Sequence, residues 1–340
     1  MNKRYQLLYV IIISIFVLNL ICTGCGSKKK SSDKSIKIAV EFVSHASAAH
    51  IARAKGWYKE EGLNVKSFDS YITGMALATA LLKGEIDAAY ICLIPAITAY
   101  KNGGVKIKVV CGTHLYGYGL IVDSAKIKSV QDLMKDDIRI ACTREGSPTD
   151  ALLNKMIEKF NLDIKIKNKI LRMPPPKVVV SLQTKQVDAG FCCEQFPSLG
   201  ESLGFTELLS AKDLWPDMQG SVLIVTDELL KKHPDIVKKL VNITERAIEY
   251  IHKNPSDASK IVAKELTIIG KKIMPLKVSK IAQKFTITPE IIKKSLFEKM
   301  VCTPNIDIKK VQEEIDYMYK MGYLKESFNA EEIVDLKFLK

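Results

Sequence analysis

Short runs rich in β-branched and apolar residues alternate along the chain with longer runs whose apolar positions recur every three or four residues. SIKIAVEFV (35–43) predicts a strand, AAHIARAKGWYKEEG (48–62) a helix ending at Gly62, and LNVKSFDS (63–70) a second strand. GMALATALLKGE (74–85) continues as a helix and IDAAYICL (86–93) as a strand. Strands separated by helices of about 10–15 residues predict βαβ units and a mostly parallel sheet, because parallel neighbours need a crossover between them.

The order then recurs. IRIACTREGSPTDALLNKMIEKFNLDIKIK (138–167) predicts strand, loop, helix and strand, and PPKVVVSLQTKQVDAGFCC (175–193) helix, turn and strand. Ala39 matches Ala141, Leu63 matches Leu162, Leu81 matches Leu182 and Asp87 matches Asp188, at offsets of 102, 99, 101 and 101 residues. Two copies of one α/β unit predict two similar lobes. VKIKVVCGTHLYGYGLIVD (105–123) reads as two strands broken by the glycine-rich stretch from Gly112 to Gly119, and predicts the first crossover between lobes. LWPDMQGSVLIVTD (214–227) predicts the return, and from Asp227 onward the pattern is almost all helical. Those helices are expected to pack back on the first lobe. The expected division is residues 36–114 with 221–340 as lobe I and 115–220 as lobe II. Parallel sheets bind ligands beyond the carboxyl ends of their strands. That rule selects Glu41–His50, Tyr71–Gly74 and Leu93–Pro95 in one lobe, and Thr143–Asp150, Arg172–Pro176 and Cys193–Pro197 in the other, all lining one cleft.

The first residues follow a different pattern. Lys3 and Arg4 precede an apolar stretch from Leu7 to Ile21, and CTGC (22–25) follows. That order predicts a lipoprotein signal segment over 1–24, with Cys25 as the lipidated first residue after cleavage, although Cys22 stands where leucine is commoner. The stretch is short for a membrane span of about 20 residues. Residues 25–35, including GSKKKSSDKS, are polar and basic and predict a flexible tether. The expected location is the extracytoplasmic face of the cell membrane, held there by a lipid anchor. The remaining roughly 300 residues exceed one ordinary core, in keeping with two lobes.

Net charge is +13 at pH 7, of which Lys3 and Arg4 contribute two, leaving +11. Lysine is dispersed on polar helix faces and arginine is scarce, so the charge reads as solvated surface; with the export signal, this argues against a nucleic-acid partner. Cys92, Cys111, Cys142, Cys192, Cys193 and Cys302 lie mostly in apolar strand-like runs without metal-ligand spacing, and buried free thiols are expected.

AHIARAKGWYKEEGLNVK, LLKGEIDAAY, GSPTDALLNKMIEKFNLD, LQTKQVDAGF and HPDIVKKLVNITERAIEYIHKNP, in that order over roughly residues 36–265, resemble the solute-binding proteins of ABC importers. The subgroup resembled is the NMT1-like one for nitrate, sulfonates, taurine and thiamine-pyrimidine precursors. The resemblance implies an α/β fold of the type II periplasmic-binding-protein class, two α/β lobes with a ligand cleft between them. It also implies capture of a small solute by hinge closure and delivery to an ABC permease in the membrane.

In REGSPTDALLNK (144–155), Ser147 fits a helix N-cap with Pro148 at the first helical position, and Asp150 three residues on completes a capping box. The resemblance implies that Gly146, Ser147 and Thr149 also touch the anionic part of the solute. Members of the resembled family often carry histidine where Asp150 stands, which puts a bare nitrate or simple sulfonate in doubt. Cap alone and cap with ligand contact both stay open. Ser44 and His45 follow the first strand as hydrogen-bonding candidates, while His50 reads as packing; neither histidine has metal-ligating company in the sequence. Tyr71, Thr73 and Gly74 precede a second helix start aimed at the cleft. His114, Tyr116 and Tyr118, beside the crossover, read either as stacking groups for a flat ligand or as hinge packing. Glu194 and Gln195 end a second-lobe strand, with Glu194 a partner for a ligand cation or a solvated carboxylate. The cysteines just before them match a cysteine-rich motif of pyrimidine-precursor synthases at two residues only.

No GxSxG, HExxH or P-loop spacing occurs. The expectation is therefore a binding protein and no enzyme, with no cofactor and no metal, acting as a monomer. Its solute is expected to be sulfonate- or taurine-like, or a pyrimidine or vitamin precursor. The alternatives are an enzyme of pyrimidine-precursor synthesis on the same fold, and a ligand-sensing receptor subunit.

Overall fold

The computed structural model describes residues 34–273 and 286–339. The expected signal segment, its lipidated Cys25 and the tether up to residue 33 lie outside the described residues. Ser32–Lys340 form one compact unit. Among the described residues no helix is long and apolar enough to cross a membrane.

The first β-rich runs become strands β1 (Ser35–Glu41), β2 (Asn64–Tyr71), β3 (Ala88–Cys92) and β4 (Ile107–Gly112). The crossover region gives β5 (His114–Tyr116) and β6 (Tyr118–Val122). The second copy supplies β7 (Ile140–Cys142), β8 (Ile170–Arg172), β9 (Ala189–Cys193) and β10 (Thr206–Ser210). β11 (Ser221–Thr226) and β12 (Met300–Cys302) complete the set. One sheet runs β2-β1-β3-β11-β4 and the other β8-β7-β9-β6-β10. Each therefore holds four mutually parallel strands and one antiparallel strand from a crossover: β11 between β3 and β4, and β6 between β9 and β10. Exchanging one strand each way ties the two sheets together through two chain crossings.

The repeat has a physical basis at the start of each first strand. Lys37 N donates to the Asp87 carboxylate at 2.8 Å, and Arg139 N donates to Asp188 at 3.0 Å. In each copy an aspartate before the third strand satisfies a backbone donor of the first, fixing the register between them.

Helices cover the sheets: α1 (Ser47–Ala54), α2 (Gly74–Leu82), α3 (Leu93–Lys101), α4 (Pro148–Lys159), α5 (Pro175–Gln183), α6 (Phe196–Ser202), α7 (Pro234–Lys253), α8 (Pro255–Ile273), α9 (Pro289–Lys294) and α10 (Ile308–Lys320). Three expectations change. The helix read over 48–62 breaks where Gly56 takes φ +72°, and a short second helix, Trp57–Glu60, follows α1. Ile164–Lys169, read as strand, is a 3-10 segment because the Asp163 side chain accepts from Lys165 N; the strand is β8. The crossover gives three strands rather than two, because Tyr116 and Gly117 both take left-handed φ (63° and 86°) and interrupt the ladder, and β5 pairs with β12.

The last helices do not pack on the first sheet alone. Lys299 pairs with Glu207 at 2.6 Å and with Glu201 at 3.1 Å, and Lys294 pairs with Glu201 at 3.0 Å, so this segment grips the second sheet's flank. Further on, Tyr323 hydroxyl donates to Asp150, while Asn102 at the end of α3 donates to Tyr323 O at 2.7 Å.

Candidate functional site

The strand-end loops of the two sheets meet around a cavity of about 50 Å³. Glu41, Thr73, Gly74 and Cys92 line it from the first sheet, and Thr143, Arg144, Ser147, Thr149 and Cys193 from the second, with Tyr118 from β6 joining them. The space exceeds the roughly 10–15 Å³ that one water needs, so it accepts a few waters or a small polar group.

On the second side the cavity is a helix start. Ser147 caps α4, accepting from Asp150 N at 3.3 Å, with Pro148 first in the helix. Thr143 Oγ1 lies 2.6 Å from Ser147 Oγ and bonds Thr149 Oγ1, and Ser147 and Thr149 hydroxyls are 3.2 Å apart. Three buried hydroxyls at the positive end of a helix can turn their protons toward an anion. Arg144, exposed beside them, adds a full positive charge. Asp150 does not face this space. Its buried carboxylate accepts from Gly146 N at 3.0 Å and from Tyr323 hydroxyl, and pairs with Arg172 at 2.6 Å. The expected capping box is therefore half formed, with the return bond one residue earlier than Ser147.

On the first side Thr73 caps α2, accepting from Ala76 N at 3.2 Å. A Cβ at Gly74 would stand 2.1 Å from Glu41 Oε1, so only glycine leaves room for that carboxyl. Glu41 accepts from Cys92 N and from Cys92 Sγ, both at 3.0 Å. Burial raises its carboxyl above the ordinary range, against the lowering effect of those two bonds. Burial, and then the neighbouring Glu41 charge, likewise push the Cys92 thiol well up. Tyr118 hydroxyl at 3.1 Å and Ser221 hydroxyl at 3.5 Å also donate to Cys92 Sγ.

His45 sits behind Glu41 and Cys92. Its Nε2 donates to Gly117 O at 2.7 Å, which leaves Nδ1 without a proton, 3.5 Å from Cys92 Sγ. Burial holds the ring neutral, lowering its pKa to about 4 against the Gly117 bond. His45 has no ligating company nearby in the sequence, but the fold brings candidate ligand atoms of Glu41, His45 and Cys92 within 4.8 Å of one another.

Of the contact residues singled out by sequence, Thr73, Gly74, Tyr118, Ser147 and Thr149 line the cavity, whereas Ser44, His45, Tyr71, His114, Tyr116, Gly146, Glu194 and Gln195 do not. Ser44 is buried against Ser295 hydroxyl at 2.7 Å. Tyr71 belongs to an outer groove with Arg53 and Lys272. Tyr116 is turned outward by its left-handed backbone and donates to Asp217 at 3.3 Å; Tyr118, two residues on, lines the cavity instead. His114 is buried beside the crossover, accepting from Ser221 N at 3.1 Å with its ring centroid 4.3 Å from that of His45. Gly146 takes φ +74° and lines a neighbouring groove with Tyr323. Glu194 and Gln195 are fully buried beneath the cavity; Glu194 accepts from Ser198 hydroxyl at 2.7 Å, and the Gln195 amide has no partner among the described residues. Cys92, Cys193 and Arg144 were not singled out as solute contacts, although Arg144 and Cys193 fall in the selected strand-end loops. The repeat held a signal for two of them: Cys92 and Cys193 stand 101 residues apart, each closing the third strand of its copy. All six described cysteines are unpaired and buried.

Two α/β sheets with swapped strands and one cleft at their strand ends define the periplasmic-binding-protein fold class. The NMT1-like family profile matches residues 29–267, and the chain belongs to that family. A Brucella abortus protein whose name calls it a binding protein is 27% identical over 221 residues, 64% of this chain and 67% of its own length. Two solved structures share the fold at a TM-score of 0.71. The ligand-binding component of an ABC-type import system from Staphylococcus aureus, solved with zinc bound, is 18% identical and covers 90% of this chain and 98% of its own. The alkanesulfonate-binding protein SsuA from Xanthomonas axonopodis, bound to MOPS, is 17% identical and covers 90% and 99%.

Proposed function

We propose that this chain is the solute-binding component of an ABC importer, held by a lipid on Cys25 at the extracytoplasmic face of the membrane. It captures a small organic anion of sulfonate or taurine type by closure of two lobes, residues 36–114 with 221–340 and residues 115–220. The observation that carries this reading is the hydroxyl cluster of Thr143, Ser147 and Thr149 at the start of α4, opening into the cavity beside Arg144. Oriented hydroxyls and a helix N-terminus recognise an anion, and Arg144 supplies the charge that makes the recognition strong. The opposite wall, with Thr73 and the raised carboxyl of Glu41, offers a donor to the rest of the solute. The volume of about 50 Å³ fits a compact head group better than a flat ring, and neither Tyr71 nor Tyr116 is placed to stack on one. The closed protein then presents a surface to a membrane permease.

The test is thermal unfolding of the full-length chain in detergent, stripped of metal, against a panel of sulfonates, taurine, carboxylates, nitrate and pyrimidines. A specific solute at about 100 times its dissociation constant adds about 2.7 kcal/mol. Stabilisation by an organic sulfonate, lost in Arg144→Gln, is the expected result. Stabilisation by nitrate or a pyrimidine alone would contradict it.

A further inference from the structure

We propose that Glu41, His45 and Cys92 form a binding site for a thiophilic divalent cation, of which zinc is the type, at the first-sheet wall of the cavity. The three come from different elements: the last residue of β1, the turn after it and the last residue of β3. Their candidate ligand atoms, a carboxylate oxygen, Nδ1 and Sγ, lie within 4.8 Å of one another. Cys92 Sγ is 3.0 Å from Glu41 Oε2 and 3.5 Å from His45 Nδ1. Zinc binds oxygen and nitrogen at about 2.0–2.2 Å and sulfur at about 2.3 Å in tetrahedral geometry. Donors around such an ion stand about 3.5 Å apart, so the widest pair, within 4.8 Å here, closes by at most about 1.3 Å on binding.

Each ligand is prepared for the role by its surroundings. His45 donates Nε2–H to the Gly117 carbonyl, the second-shell arrangement that fixes the tautomer and aims the Nδ1 lone pair at the site. Cys92 Sγ receives hydroxyl bonds from Tyr118 and Ser221, which stabilise a thiolate. Two glycines clear the space: a Cβ at Gly74 would meet Glu41 Oε1 at 2.1 Å, and one at Gly117 would meet His45 Nε2 at 2.7 Å. Charge also balances: a divalent ion displaces the protons of this buried pair, each 4% exposed, and the resulting carboxylate, thiolate and neutral imidazole make the group electrically neutral. Because Glu41 and Cys92 line the cavity, the ion is reached from it and keeps a position open on that side.

The experiment uses the full-length chain in detergent, reduced and stripped with chelator, and titrates it with Co²⁺ and no solute, so its outcome is independent of the solute proposed above. One equivalent is expected to give a sulfur-to-cobalt charge-transfer band with the ligand-field bands of a tetrahedral site, and Zn²⁺ is expected to abolish both. Cys92→Ser should lose the charge-transfer band, whereas Cys302→Ser, at a buried thiol elsewhere, should keep it. Glu41→Gln preserves volume and covers the case in which Cys92→Ser does not fold; it should weaken cobalt by more than the roughly 10–100-fold that loss of a second-shell partner costs. Absence of cobalt binding to the reduced protein, a charge-transfer band that survives Cys92→Ser, or unchanged affinity in Glu41→Gln would each overturn the proposal.

Discussion

Glu194 shows how far a single buried group can depart from its sequence reading. Read as a cleft-facing or solvated carboxylate, it is fully buried, and burial raises its pKa to about 7, with Glu207 adding to the rise and Ser198, Ser295 and Lys299 opposing it. A carboxyl raised above its unfolded value of 4.5 contributes stability that is complete below pH 4.5 and is lost as pH climbs through 7. The loss amounts to about 3 kcal/mol, taking about 1.4 kcal/mol per unit. Glu194→Gln cannot titrate, so its stability relative to the native chain should rise by about that amount between pH 4.5 and pH 8. Urea unfolding at the two pH values measures it, and an unchanged difference would show that the carboxyl ionises normally. Ser147 allows a sharper separation of roles. Ser147→Ala should cost about 1 kcal/mol through the lost cap. If the hydroxyl also meets the solute, affinity should fall as well; a stability loss at unchanged affinity would leave the cap alone.

Among the elements, strand ends and helix starts make the site, and close packing holds them in place. At Gly190 in β9 a Cβ would stand 2.3 Å from Val178 Cγ1 of α5. Gly190→Ala should therefore push helix from sheet and cost about 1–3 kcal/mol of overpacking, read as a lower urea midpoint at unchanged slope. Strand and helix order could be read from apolar periodicity because each element buries one continuous face. The break at Gly56 and the replacement of a strand by a 3-10 turn after Asp163 were hidden, since each depends on one backbone angle or one side-chain bond that periodicity does not record. The same holds for Tyr116 and Tyr118: alternation puts them on one face, and two left-handed residues at 116 and 117 undo it.

In the whole molecule the C-terminal segment links the two sides of the cleft. Tyr323 is held by Asn102 on one side, and on the other it bonds Asp150 and accepts from Asn154 at 2.9 Å. If the two proposed lobes close on the solute, this bridge favours the closed arrangement; it also gives Asp150 partners away from the cavity. Tyr323→Phe removes the hydroxyl while Arg172 and Gly146 still satisfy Asp150. A bond to a charged group is worth about 1.5–3 kcal/mol. The variant should therefore bind solute about tenfold or more weakly, with small-angle scattering of the solute-free protein showing a larger radius of gyration. Unchanged affinity and radius would place the bridge outside the closing motion.

Order and repetition were written in the chain. Apolar spacing set the succession of strands and helices, the offset near 101 residues set two copies, and the strand-end rule then chose the loops that meet at the cavity. These follow from the sequence because they rest on periodic burial and on connections between neighbours. Which side chains face one another across that cavity rests on contacts between residues far apart in the chain, and folding alone settled it. Glu41 reaches Cys92 across 51 residues, His45 reaches Gly117 across 72, and Asp150 reaches Tyr323 across 173. No local pattern marks such pairs, so the cluster of carboxylate, imidazole and thiol came into view only once the first and third strands lay side by side.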